Sequence, residues 1–326
     1  MKQYGNNKIN LKKIIQYLLA FTVIVASGIF FYLEFKKNWD AVKAYHFAAN
    51  FYYIFASFFV TAIGFLMETY IWQIFVNDYL PKKLKFRESI ALYNTTAMLK
   101  YIPGKIWSYT AQIKLMSPKG ISKTLLIYIN LICFICLVFA SAIYALLYYL
   151  LYFKMAYLVI SISVFVLLLI LNFVFVTWNI PIINYLIIPI NQIFKREIQP
   201  LKMRKSLLLY IQLLYLLSYI PMGIGMYFLA KGIGMDIPFS GIMALMATLS
   251  VSLVLGYVAF FSPGGLGIRE GAMFFMLKQF SNIDIALILP IVMRLIYIMI
   301  ELLLGIIGIL IVMKSRFFPA QTKNRQ

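Results

Sequence analysis

Apolar residues run along this chain in blocks that are longer and more continuous than the core of a water-soluble domain requires. Such blocks cover Ile14 to Leu33, Phe47 to Val76, Thr124 to Leu151, Met155 to Val176, Ser206 to Ala230 and Ile285 to Val312. Each reaches or exceeds the roughly 20 residues that a helix needs to cross a hydrocarbon core of about 30 Å. The pattern therefore predicts an all-α polytopic membrane protein with about six transmembrane helices. Two further segments, Ser89 to about Met116 and Gly241 to about Leu277, are apolar but broken, and each predicts helix, Pro-Gly break, helix. The breaks are Tyr101-Ile102-Pro103-Gly104-Lys105-Ile106-Trp107 and Phe261-Ser262-Pro263-Gly264-Gly265-Leu266-Gly267-Ile268-Arg269-Glu270-Gly271. Backbone that leaves the helix at membrane depth survives only where protein or a water-filled cavity satisfies its polar groups, so both breaks are candidate sites.

Length separates the two segments. Ser89 to Ile102 reaches only about 21 Å at about 1.5 Å per residue, too short to cross, and predicts a re-entrant hairpin. It also carries Asn94, Thr95, Thr96, Lys100, Lys105, Ser108 and Gln112, which places it against protein or a cavity rather than lipid. Gly241 to Ser262 is long enough to span, so charge has to decide. With both broken segments returning to their starting side, twenty of the thirty basic residues fall on one face, and Lys36, Lys37, Lys43, Lys154, Lys231 and Lys278 on the other. That asymmetry predicts two re-entrant hairpins and cytoplasmic termini in a cell membrane.

The rest of the composition fits that solvent. Residues are 63% hydrophobic and 12% charged, and the formal charge of +20 sits in short loops and tails. Anionic lipid and topology select such a distribution, and nucleic acid is not an expected partner. Lys2, Lys8, Lys12 and Lys13 before the first apolar block resemble the start of a signal peptide. The block is too long and has no small-x-small cleavage site, so it predicts a retained helix. Cys133 and Cys136 lie one turn apart in an apolar run with His46 far away, so they predict packing residues, and neither a metal nor a cofactor is expected.

The two Pro-Gly breaks stand 160 residues apart, each with an aromatic residue two positions before the proline and each after two spans and before a third. The chain thus predicts a single membrane domain of two repeats, 1–153 and 154–326. Three crossings per half make the second repeat inverted, with the two tips meeting near the midplane. Each tip starts a half-helix whose positive end and free N–H groups point inward, with Lys105 in one first turn and Arg269 in the other. An anion suits that place. The candidate substrate-binding residues are Pro103, Gly104, Lys105, Pro263, Gly264, Gly265, Gly267, Arg269, Glu270 and Arg294. A plainer reading gives the glycines to tight turns and Glu270 to its own helix N-terminus. Glu68, Lys100 and Glu301 are expected to form supporting ion pairs, and Arg294 and Glu301, seven residues apart, share one face of the last helix.

Pro-Gly-Gly-Leu-Gly-Ile-Arg-Glu-Gly at 263 to 271, Tyr-Ile-Pro-Gly-Lys-Ile-Trp at 101 to 107 and Arg294 together resemble the flippase-like transmembrane family of lysylphosphatidylglycerol synthases over nearly the whole chain. In two-part members of that family, the resemblance implies, the flippase region precedes a cytoplasmic domain that moves lysine from aminoacyl-tRNA to phosphatidylglycerol. Here 14 residues follow Val312, so the expectation is translocation and not synthesis. The resemblance implies movement of an anionic or aminoacylated phospholipid, or a polyprenyl-linked lipid, between leaflets, with rocking of one repeat against the other. An ion-coupled solute transporter, with Glu68 and Glu301 binding the ion, remains open, as does a membrane subunit serving a separate lipid-modifying enzyme. A homo-oligomer also stays open. A membrane glycosyltransferase using Glu34 and Asp40 is disfavoured by short external loops.

Overall fold

The computed structural model describes residues 50–101, 106–152, 202–259 and 262–314, with isolated helical positions between 29 and 36 and between 163 and 185. The expected spans at Ile14 to Leu33 and Met155 to Val176 lie outside the described residues, apart from those isolated positions. Pro103, Gly104 and Lys105 lie outside them as well.

Among the described residues every regular element is helical. In chain order they are α1 (Phe51–Tyr79), α2 (Phe86–Ser89), α3 (Thr95–Ala97), α4 (Ile106–Met116), α5 (Lys123–Tyr152), α6 (Lys205–Gly232), α7 (Ile242–Val258), α8 (Ile268–Leu277) and α9 (Ile283–Lys314). Five stretches are long and apolar enough to cross a membrane: Phe51–Tyr79, Lys123–Leu150, Lys205–Gly232, Phe239–Val258 and Ile283–Lys314. Four coincide with predicted spans. The fifth is the first arm of the second broken segment, whose 20 residues reach about 30 Å.

These helices are built for lipid outside and close packing inside. Along α1, Phe51, Phe55, Phe59 and Ile63 are exposed, while Ser57, Thr61 and Gly64 face inward and Ser57 and Thr61 are fully buried. Lipid tails are as apolar as leucine, so association inside a bilayer comes from close approach at small residues. The α1–α6 contact shows this. A Cβ at Gly225 would collide with the Thr61 hydroxyl, and one at Gly64 would stand 2.5 Å from Met222 Cγ.

The first arm of the first broken segment changes its winding as it advances. α2 passes into a π-helix (Ile90–Asn94), then α3, then a 3-10 turn (Met98–Tyr101). Asn94 Nδ2 donates to Thr69 Oγ1 at 3.0 Å, tying the wide turn to α1. Such local rewinding re-aims side chains and is frequent at functional sites.

Helices pair across the two halves of the chain. α1 lies on α6, the π-helix and α3 lie on α9, and α7 lies on α5, while α7 and α8 run side by side. Gly305 and Gly308 of α9 admit Met98 and Thr95 of the first arm, because any Cβ at either glycine would overlap them. The Met98–Tyr101 turn touches the Pro263–Gly265 turn, so the end of the first arm meets the second break.

Candidate functional site

The second break is shaped by glycine. Gly264 and Gly265 hold φ of 60° and 75°, in the left-handed region that glycine enters without steric cost. Space matters as much. A Cβ at Gly264 would stand 2.8 Å from the Tyr101 ring, and one at Gly265 would stand 2.9 Å from Gly256 Cα. Tyr101 at the end of the first arm, the second tip and the end of α7 thus close on one another through atoms that no larger residue permits. Ser262 Oγ donates to the Leu266 carbonyl at 2.7 Å and tightens the turn.

The last helix holds both tips. Glu301 Oε1 pairs with Lys100 Nζ at 2.5 Å, and its Oε2 accepts from the Tyr101 hydroxyl at 2.6 Å. Two turns earlier on α9, Arg294 Nη2 donates to the Gly264 carbonyl at 2.8 Å. Arg294 Nε also stands 3.3 Å from Glu270 Oε1, an ion pair without hydrogen-bond alignment. The Arg294 guanidinium lies 5.7 Å from the Tyr101 ring centroid, so the Tyr101 ring lies beside both Arg294 and Gly264.

Glu270 takes the plainer of its two expected places. Its Oε2 accepts from the Gly267 N–H at 2.7 Å, so the positive end of α8 carries its own carboxylate rather than presenting only free donors to a ligand. A carboxylate in the first turn is the arrangement that the helix dipole favours.

Beside the tips lies a cavity of about 1040 Å³, including its mouth. Glu68 enters it from α1, Tyr93, Asn94, Thr96 and Lys100 from the first arm, Ser108, Tyr109 and Gln112 from α4, and Asn130 from α5. Gly256 and Tyr257 of α7, Gly264, Arg269, and Tyr297 and Glu301 of α9 complete the opposite wall. Asn130 Nδ2 donates to Gln112 Oε1 at 2.9 Å, which orients the amide wall.

Arg269 is the side chain that stands out. It is only 4% exposed, its guanidinium lies 5.0 Å from the Tyr257 ring centroid, and Nε has no hydrogen-bond acceptor among the described residues. Two carboxylates that act on it, Glu301 and Glu270, are engaged by Lys100 and Arg294. Gly256 makes the placement feasible, because a Cβ there would overlap the Arg269 side chain.

The structure thus brings together Gly264, Arg269, Lys100, Glu301 and Glu68 around one cavity, with Gly265, Gly267, Glu270 and Arg294 immediately behind it. Arg294 serves the latch and a second, small cavity shared with Arg269, and does not line the large one. Glu68 also differs from expectation. Among the described residues it forms no ion pair or hydrogen bond, because Lys100 is drawn to Glu301 instead. Sequence reasoning missed Tyr101, Asn130, Gly256 and Tyr257 as site residues. Asn130 had a signal, as a lone amide among the apolar residues of α5; for Tyr257, one of 24 tyrosines, there was none.

Fold and cavity together define a polytopic helical membrane protein with a charged, partly closed interior site. The chain belongs to the family described as lysylphosphatidylglycerol synthase TM region, whose profile matches residues 17–305. No curated protein matches it.

Proposed function

We propose that this protein is a lipid translocase, which carries the head group of a phospholipid or polyprenyl-linked lipid through the cavity while the acyl tails stay in the bilayer. The observation that supports this reading is the buried Arg269, a cation that forms no ion pair among the described residues, facing a cavity inside a largely apolar protein. A charge at that depth is expensive unless it serves a ligand or an ion path. Family membership points to lipid as the material handled. On this reading the protein moves its substrate and leaves it chemically unchanged.

The two Pro-Gly segments act as re-entrant hairpins of an inverted repeat in a cell membrane, with cytoplasmic termini. Support comes from the crosswise packing, in which the first hairpin lies on the last helix of the second half and the second hairpin on the last helix of the first. Alternating access would open the tip contact on one side and close it on the other. A cysteine introduced in the exposed turn between Lys278 and Asn282 is then labelled by an impermeant thiol reagent from outside. Labelling only from the cytoplasm ends the topology.

The test of function is exchange of tail-labelled phospholipids between leaflets of liposomes containing purified protein. Exchange that Arg269→Ala abolishes in folded protein supports translocation through this cavity. No exchange of any phospholipid or polyprenyl phosphate ends the lipid reading and favours an ion-coupled solute transporter, for which the Glu68 carboxylate, without an ion pair among the described residues, is the supporting observation.

A further inference from the structure

The charges around the large cavity are two cations, Lys100 and Arg269, and two carboxylates, Glu68 and Glu301. Lys100 and Glu301 satisfy each other at 2.5 Å. Arg269 and Glu68 remain, one on α8 and one on α1, with no ion pair between them. Among the described residues the charged groups that act on Glu68 are Lys100, Glu301 and Arg269, and Lys100 is held by Glu301. Among the described residues the site therefore offers one guanidinium and one carboxylate that form no ion pair, on walls contributed by the two halves of the chain.

From this pairing we infer that the preferred ligand is a zwitterion, a phospholipid head group with one phosphate for Arg269 and one primary ammonium for Glu68. The inference rests on the translocase reading and names its substrate class. A purely anionic head group would meet Arg269 but leave Glu68 buried beside added negative charge. Uncompensated charge away from water is costly, so the site disfavours such a ligand. A head group with two ammonium groups has the converse fault. Its second ammonium finds only Glu301, which Lys100 and the Tyr101 hydroxyl already hold. Arg is suited to phosphate through its planar fork, and a primary ammonium donates well to a carboxylate. The amide wall of Asn94, Gln112 and Asn130 is left for uncharged polar atoms. A free zwitterionic solute presents the same chemistry, so the test has to separate it from the lipid.

The experiment is binding of short-chain phosphatidylethanolamine, its N-acetylated derivative, phosphatidylglycerol and lysylphosphatidylglycerol to the detergent-solubilised full chain, followed by leaflet exchange of the same head groups in liposomes. Phosphatidylethanolamine should bind at least about tenfold more tightly than each of the other three, the scale of one charge-assisted contact. In Glu68→Gln protein the ratio to phosphatidylglycerol should fall to about one. The N-acetylated lipid removes the ammonium without altering the protein, so the comparison stands even if the variant folds poorly. Equal binding of the ethanolamine and N-acetylated lipids, or tighter binding of the lysylated one, overturns the inference. Selective binding with no leaflet exchange leaves the charge assignment standing and overturns only the translocase reading. Phosphoethanolamine that binds as tightly as the lipid does the same, in favour of a solute.

Discussion

The two broken segments are fastened to the same helix by opposite chemistry. The tip of the first is held by its side chains, Lys100 and Tyr101, on the Glu301 carboxylate. The tip of the second is held by its backbone, the Gly264 carbonyl, on the Arg294 guanidinium. Glu301 and Arg294 are seven residues apart on α9, about 10 Å along its axis, so one rigid helix spaces the two anchors. The difference lies in what each anchor can release. A side-chain ion pair can exchange partners, and Glu68 stands across the cavity as a second carboxylate for Lys100. A buried carbonyl has no such freedom, and Arg294 is further held by Glu270. The first tip is therefore the better candidate for the moving element, and the second for the fixed frame that carries Arg269.

Breaking the anchors in turn sharpens this contrast. The largest effect is expected from Glu301→Leu, which strands Lys100 in a buried site and should cost about 3–5 kcal/mol of stability. Denaturant unfolding in mild detergent reads it through thiol labelling of Cys133 and Cys136, both buried and unoxidised. A second change, Lys100→Met, should recover most of that loss, and a double variant no better than the single one contradicts the pairing. Arg269→Ala comes next. Loss of a charged contact to phosphate should weaken head-group binding by about 1.5–3 kcal/mol, roughly 10- to 100-fold, while the unfolding midpoint stays near wild type. A large drop in stability with unchanged binding would make Arg269 structural.

Gly264→Ala tests the fixed frame. A side chain at φ of 60° with its Cβ 2.8 Å from the Tyr101 ring should cost about 1–3 kcal/mol and reduce leaflet exchange, because the tips are pushed apart. Retained exchange and stability would show that the tips need not touch. The smallest effect belongs to Tyr101→Phe, which removes one hydrogen bond to Glu301 while Lys100 keeps the anchor. About 0.5–1.5 kcal/mol is expected, and a loss comparable to Glu301→Leu would move the weight of the first anchor from Lys100 to Tyr101.

How much of this was legible in the chain differs from residue to residue. Hydropathy located α1, α5, α6 and α9 to within a few residues, because a bilayer demands long apolar helices whatever they pack against. The two Pro-Gly signals placed the breaks, and the depth of Arg269 and Lys105 marked them as interior charges, although Lys105 lies outside the described residues. Pairing was not legible. Glu68, Glu301 and Glu270 are equivalent as letters, and only their positions in space show that Glu301 takes Lys100, that Glu270 takes Arg294 and the Gly267 N–H, and that Glu68 takes no described partner. The first arm of the second segment was also ambiguous in length, since Phe239–Val258 is long enough to cross.

By itself the sequence determined that this is a helical membrane protein, where its helices break, and which charges lie at depth, because lipid leaves a chain few ways to satisfy its backbone. The tertiary structure alone decided which charges cancel and which stay free to meet a ligand. Ion pairs depend on a few ångströms between helices distant in sequence, and that spacing is set by the glycines at which helices and tips touch, Gly256 beneath Arg269 and Gly264 against Tyr101.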